Sequence, residues 1–352
     1  MIKLRENMMI YKSKFSVLFF LALMVGFLCM PTFAGDDSRV GTASGTQVVI
    51  PVSAREVALG AANLALTAGS NAIHYNPAGL ARQTALAEGQ FSTMQIFNDI
   101  SVSYVAVTYN DEDFGAIGLS IKSLGFGDIP LTTNQDMDGE SGQTYSPTFV
   151  TVGLTYARPL TEAVNLGLTA KLINESVPRA SASAFAFDIG LQYDRLGGID
   201  GVSFAVAVKN IGTKMEYTGS GLGYRIQEGS REDILGRPAQ SSNLPATVEL
   251  GLAYTTQVDE SNNLLFTGIF ENNNLGNDGA RFGLEYNYDN FLFARGGYNH
   301  TLKVDAEDLL YTWVVGAGIH YPLGGLDFTF DYAYRYSQYF DANNIFTIIL
   351  GF

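Results

Sequence analysis

The chain has 352 residues and a formal net charge of −14, with only 16% of its residues charged. So acidic a chain repels phosphate backbones, which excludes nucleic acid as the expected partner. Its 38 glycines, 19 tyrosines and 23 phenylalanines suit a fold of many strands and turns.

At the N-terminus, Lys3, Arg5, Lys12 and Lys14 precede an apolar run from Phe15 to Leu28, then Pro31, Thr32, Phe33 and Ala34. That order predicts a secretory signal peptide over 1–34, cut after Ala34. The run is shorter than the roughly 20 residues a membrane-spanning helix needs. Cys29 lies inside it behind Leu28, a poor neighbour for lipoprotein cleavage, so residues 35–352 contain no thiol. No later stretch is long and apolar enough for a spanning helix.

Residues 35–83 do not read as strand. Ser53 and Glu56 have the spacing of a capping box, and Gly69 stands where the helix would stop. Between them, Ala58, Gly60, Ala61, Ala62, Ala65 and Ala68 predict a narrow helix. Asn76 and Pro77 predict a second helix start, with Asn as the cap and Pro at the first helical position. A segment this slim fits inside a barrel, so 35–83 is expected to be a lumenal plug.

From residue 84 to 352 apolar side chains recur at every second position. Over 326–337 one face carries Leu326, Phe328, Phe330, Tyr332, Tyr334 and Tyr336, and the other Asp327, Thr329, Asp331, Ala333, Arg335 and Ser337. Successive strand side chains point to opposite faces, so one side is apolar and the other polar. Residues 164–172, 185–193, 248–254 and 311–320 repeat the pattern. Fourteen such segments fall near 84–98, 99–110, 113–124, 147–157, 163–175, 182–194, 201–212, 245–256, 262–272, 279–288, 291–300, 309–320, 326–336 and 343–352. The alternation blurs in the second, ninth and eleventh, and Arg295 in the eleventh must face inward.

A soluble sandwich would alternate too, but three features favour a membrane barrel. The count is even. The two long connections, about 125–146 and 213–244, both follow odd-numbered segments and so emerge on one side, as the loops of outer-membrane barrels do. Tyrosines, among them Tyr109, Tyr254, Tyr288 and Tyr321, gather toward segment ends, where amphipathic rings suit the water–hydrocarbon boundary. The expected fold is therefore all-β, a 14-stranded antiparallel transmembrane β-barrel in the bacterial outer membrane, with a short N-terminal helical plug in its lumen.

No catalytic or cofactor constellation emerges. Asn134, Asp136, Asp138, Gly139 and Glu140 are spaced like the start of a calcium loop, but Tyr145 stands where the bidentate Glu belongs, so a solvated acidic turn is expected. His74, His300 and His320 lack ligand spacing. The inward charges Lys171, Asp188, Lys209, Glu249, Arg281, Glu285, Arg295, Asp327, Asp331 and Arg335 have mixed signs, which suggests a network that holds the plug. Arg55 is its expected plug-side member, paired with Glu249, Glu285, Asp327 or Asp331. Gly115, Gly118, Gly125 and Gly127 mark where a kink would open the wall.

Ala54-Arg55-Glu56-Val57-Ala58-Leu59-Gly60-Ala61-Ala62 and Asn76-Pro77-Ala78-Gly79-Leu80-Ala81 resemble the N-terminal signature of the PorV/PorQ family. Val208-Lys209-Asn210-Ile211-Gly212 and Leu244-Pro245-Ala246-Thr247 follow in the same relative order. That family looks like a branch of the FadL-type barrels, which share fourteen strands and an N-terminal hatch with a similar Asn-Pro-Ala turn. The resemblance implies a barrel that binds protein partners or cargo of type IX secretion. The alternative it implies is FadL-like uptake of fatty acids or other hydrophobic compounds, which leave laterally through the wall. Plug residues are expected to include Arg55, Glu56, Asn76, Pro77 and Gly79. The terminal Phe352 resembles the signal read by the barrel-assembly machinery, and the remaining partner is outer-membrane lipid.

Overall fold

A computed structural model describes residues 39–97, 100–228, 231–236, 239–305 and 307–352. The signal-peptide expectation lies outside the described residues. The alternating segments fold into fourteen wall strands: β1 (Ala87–Phe97), β2 (Ile100–Asp111), β3 (Gly115–Gly125), β4 (Thr148–Pro159), β5 (Val164–Val177), β6 (Ala180–Asp194), β7 (Val202–Gly212), β8 (Thr247–Gln257), β9 (Asn262–Asn273), β10 (Gly279–Tyr288), β11 (Leu292–Thr301), β12 (Tyr311–Leu323), β13 (Leu326–Ser337) and β14 (Asn343–Gly351). Each strand pairs antiparallel with its neighbours in sequence, and β14 returns to β1 to close the barrel. Closure leaves no edge of unpaired backbone groups, the condition for crossing lipid with strands. Among the described residues no helix is long and apolar enough to cross a membrane.

The two faces sort as the alternation demands. Val105, Val107, Leu119, Ile121, Leu154, Leu168, Phe185, Phe187, Ile189 and Val315 stand exposed on the outside. Their inward neighbours, such as Ala106, Ser120, Thr155, Thr169, Ala186 and Asp188, are buried. Tyr109, Tyr288 and Tyr321 are exposed near strand ends, whereas Tyr254 is buried. Connections at the end that holds both barrel termini are short. The β10–β11 turn is Asp289-Asn290-Phe291, with φ 55° and 51° at its first two residues, a left-handed conformation that Asp and Asn tolerate best among residues with a side chain. At the opposite end the β3–β4 connection carries a small hairpin, Ile129–Pro130 with Thr144–Tyr145. The β7–β8 connection carries another, Gly223–Glu228 with Arg231–Gly236.

Inside lies a run of short turns instead of the long helix expected. Helix α1 covers only Ala54–Ala58, α2 only Ala72–Tyr75, and 3₁₀ turns span Thr46–Val49, Gly69–Asn71 and Pro77–Arg82. The capping box does not form. Ser53 has φ 67° and its hydroxyl donates to Asn71 Oδ1 at 2.6 Å, while Glu56 turns to other partners. The wall caps α1 in its place: Ala54 N–H donates to Thr347 Oγ1 at 2.8 Å and Ser53 N–H to Ser92 Oγ at 3.2 Å. Gly69 opens a turn and does not end a helix. The chain leaves α1 through left-handed Gly60 and Ala61, φ 67° and 56°. Asn76 does act as a cap, accepting from Ala78 N–H at 3.2 Å with Pro77 first in the turn.

Small plug residues pack directly on the wall. Ala54, Val57 and Ala58 sit against Met94, Val102, Val314, Ala333 and Ile345. Leu59, Ala62, Leu64 and Ala65 sit against Ala205, Ala207, Ala253, Leu265 and Ile269. The second contact explains the blurred alternation of β9, whose inward Leu265 and Ile269 meet the plug and not water.

Candidate functional site

The plug divides the lumen. On the long-loop side a cavity of about 430 Å³ is lined by Ile50, His74, Tyr75, Phe97, Tyr311 and Arg335 among others. On the side of the barrel termini a second, of about 290 Å³, is bordered by Arg55, Glu88, Phe293, Arg295, His320 and Asp331 among others.

A charge lock joins plug to wall. Arg55 grips Glu285 with two teeth, Nε to Oε2 at 3.1 Å and Nη2 to Oε1 at 3.2 Å. Arg295 donates to the same Glu285 Oε2 at 2.5 Å and to Asp331 Oδ1 at 2.5 Å. Two guanidiniums therefore share one carboxylate, a planar geometry lysine would not reproduce. Glu56, fully buried, accepts at Oε1 from Arg55 Nη1 at 3.1 Å, Asn63 Nδ2 at 3.2 Å and Thr67 Oγ1 at 3.2 Å. Its Oε2 has no hydrogen-bond partner. Burial pushes its pKa up against the pull of Arg55. His74 goes the other way: burial, then repulsion from Lys122, Lys209 and Lys171, holds it well below the ordinary histidine range.

The turn at Asn76-Pro77 is seated by backbone and amide contacts. Asn76 Nδ2 donates to Leu64 O at 3.1 Å and Leu191 O at 3.3 Å. A Cβ added at Gly167 would overlap the Pro77 backbone, and one at Gly190 would overlap Asn76. At Gly79 it would strike Thr67 O. Gln192 holds Leu64 O and Thr67 O, both at 3.0 Å. Lys122 reaches Val48 O at 3.2 Å and Ile50 O at 2.9 Å, and Arg82 pairs with Asp194 at 2.7 Å.

The inward charges singled out from the sequence separate into two groups. Glu285, Asp331 and Arg295 join the lock with Arg55. Glu249 pairs with Lys209 at 2.6 Å and Asp188 with Lys171 at 2.5 Å, within the wall, while Arg281 pairs with Glu271. Asp327 belongs to neither group: exposed at the rim, it comes only within 4.0 Å of His320. Arg335 has no carboxylate partner among the described residues. Sequence reasoning missed Asn63, Thr67, Glu88, Gln192 and Lys122; the strand glycines that leave room for the plug were the available signal. Asp136 accepts from Glu140 N–H at 2.9 Å and Ser141 N–H at 2.8 Å, so backbone amides occupy its carboxylate. Phe352 is exposed, and its N–H donates to Ala87 O at 2.9 Å.

The glycines of β3 do not open the wall. That strand pairs with β2 from Ser101↔Gly125 to Asp111↔Gly115 and with β4 from Ala116↔Ala157 to Gly125↔Thr148. Its glycines leave room instead, as at Gly118, where Ile73 of the plug comes close. At the closing seam the β1–β14 ladder stops at Met94↔Ile345 although β1 runs on to Phe97, much as the β11–β12 ladder stops at Tyr298↔Trp313 short of Thr301. A groove of about 380 Å³ lies there, lined by Thr93 to Ile96, Asp341, Ala342, Asn344 and Phe346.

No family profile matches this sequence. No curated protein matches it either. Solved structures do. The chain is similar to a Pseudomonas putida toluene transporter, TodX, at 12% identity with TM-score 0.55, over 84% of this chain and 97% of that one. It is similar to the CymD monoaromatic hydrocarbon channel at 10% identity with TM-score 0.53, over 86% and 98%. A Pseudomonas aeruginosa FadL homologue aligns at 11% identity with TM-score 0.48, over 86% and 98%. What the first two share with this chain is the fold, which in this chain is a closed antiparallel barrel of fourteen strands.

Proposed function

We propose that this chain is a plugged uptake channel that admits small, largely hydrophobic molecules through the outer membrane. The observation that carries the reading is the division of the lumen into two cavities, one on each side of a plug held by polar contacts and by apolar packing on the wall. A static wall would not need an internal segment with space above and below it. Its likeness to a monoaromatic hydrocarbon channel and to a toluene transporter supports the same reading. Where the β1–β14 ladder stops, the Asn343 side chain joins the two strands at Ile96 O, 2.7 Å away, and Ile96 borders both the cavity on the long-loop side and the groove beside the seam.

The test is uptake of radiolabelled toluene, benzoate and oleate by cells with and without the gene, and by proteoliposomes of the purified chain. Uptake of at least one solute that depends on the chain is expected; equal uptake of all three in both cases overturns the reading. Docking of type IX secretion partners or cargo at the outer loops rests on the short sequence motifs and on the two long loops emerging together. Pull-down of proteins with a C-terminal sorting domain from detergent extract would favour it. Phe352 as the assembly signal remains part of the proposal, checked by membrane insertion of a Phe352→Ala chain.

A further inference from the structure

The upper cavity is bordered by four cationic side chains, Lys171, Lys209, Arg281 and Arg335. The first three each have a carboxylate beside them, Asp188, Glu249 and Glu271. Arg335 does not. Only 7% exposed, it donates from Nε and Nη2 to Asn343 Oδ1 at 3.1 and 2.7 Å, touches Met94 Sδ at 3.8 Å, and lies 3.8 Å over the Tyr311 ring. Asn343 is itself fixed by donating to Ile96 O at 2.7 Å. Every partner is neutral, and Nη1 is left without a hydrogen bond among the described residues. A buried cation held rigid by neutral groups has its charge uncompensated, which is costly unless an anion supplies it.

A second observation points to the same space. The hydroxyls of Tyr311 and Thr247 are buried without partners, and both residues line this cavity. Buried polar groups are otherwise nearly always hydrogen-bonded. Rings also line it: His74, Tyr75, Phe97 and Tyr311. Its volume, about 430 Å³, falls toward the lower end of the range for ligand pockets, roughly 300–1,000 Å³, and suits a compact solute.

We propose that Arg335, with the Tyr311 hydroxyl beside it, is the head-group site for a compact aromatic monocarboxylate bound in the upper cavity; the proposal rests on the uptake reading above. The guanidinium fork is shaped for a planar carboxylate, and the surrounding rings accept a flat apolar body. Lys171, Lys209 and Arg281 on the same walls already have carboxylates beside them, so among the described residues the cavity offers a free cation for one carboxylate and not two. An uncharged hydrocarbon would leave Arg335 as uncompensated as it finds it.

Equilibrium dialysis of the detergent-solubilised full chain against radiolabelled benzoate and toluene, together with uptake into proteoliposomes, tests this. Benzoate is expected to bind the unaltered protein, and Arg335→Gln to weaken it by about tenfold or more, the scale of one charge-assisted contact, with toluene unaffected. Tyr311→Phe, which removes only an unpartnered hydroxyl and so leaves folding intact, is expected to weaken benzoate several-fold as well. If Arg335→Gln does not fold, Tyr311→Phe decides alone. Benzoate bound equally by the unaltered chain and the variants, or toluene bound and benzoate refused, overturns the carboxylate site while leaving a channel. Failure of every solute to bind or cross the unaltered chain overturns both readings.

Discussion

In β6, Phe185, Phe187 and Ile189 face outward while Ala184, Ala186 and Asp188 turn inward, and two-residue alternation alone decides which does which. In the plug, Ser53 carries a capping motif that goes unused because Ser92 and Thr347, distant in the chain, supply the hydrogen bonds first. The wall is a local code repeated fourteen times. The plug is a segment of low intrinsic order whose shape is imposed by what surrounds it. An isolated helix of five residues is far below the length that holds together in water, so α1 persists only in its socket.

The sharpest way to break that contrast is Glu285→Ala, which strips the shared carboxylate from both Arg55 and Arg295. Arg55 keeps Glu56 and Arg295 keeps Asp331, so the cost stays below the roughly 3–5 kcal/mol of a fully orphaned buried charge, and the loss should fall on plug docking. Residues 46–82 are expected to become trypsin-sensitive and conductance in planar bilayers to rise, with the barrel still folded. Arg55→Ala should do the same, because Arg295 keeps Glu285 paired but buried Glu56 loses its cation; if it left protease resistance and conductance unchanged, the lock would not be what anchors the plug. The opposite selectivity is expected of Leu154→Arg, on the lipid face. It should cost about 2–4 kcal/mol in urea unfolding from bilayers and leave the plug closed.

Gly190→Val should displace the Asn76-Pro77 turn at about 1–3 kcal/mol, the usual penalty of overpacking. It would appear as higher conductance without loss of the folded barrel's gel shift, and an unchanged conductance would show that the glycine marks no docking groove. The smallest effect concerns pH. His74 is held neutral in the docked plug, so docking is fully stable above the ordinary histidine pKa of about 6.5 and weakens as pH falls through it. Conductance is expected to climb on acidification below that point, and His74→Gln should flatten the climb.

The strand count, the inward placement of Arg295 and the Asn76-Pro77 cap were legible because each depends on neighbours within a few residues. The long helix drawn through Ala58 to Ala68 was not there, since small residues permit a helix but Gly60 and Ala61 adopt left-handed backbone to follow the wall. The partner of Arg55 was narrowed to four acids, and only the fold separates Glu285 from Asp327 at the rim. The strand glycines carried a readable message, close approach of another backbone, that alternation counting passed over as mere polar-face spacing.

Two amide groups at the start of α1 reach across the place where the cylinder shuts: Ser53 to Ser92 on the first strand and Ala54 to Thr347 on the last, with Thr347 Oγ1 also donating to Ser92 Oγ at 2.8 Å. The plug is thus a rivet through the final joint. Both hydroxyls face the lumen, so seating residues 46–82 adds one hydrogen bond to each of the two strands that shut the cylinder. A chain lacking that stopper would have to hold the same joint with its wall strands alone.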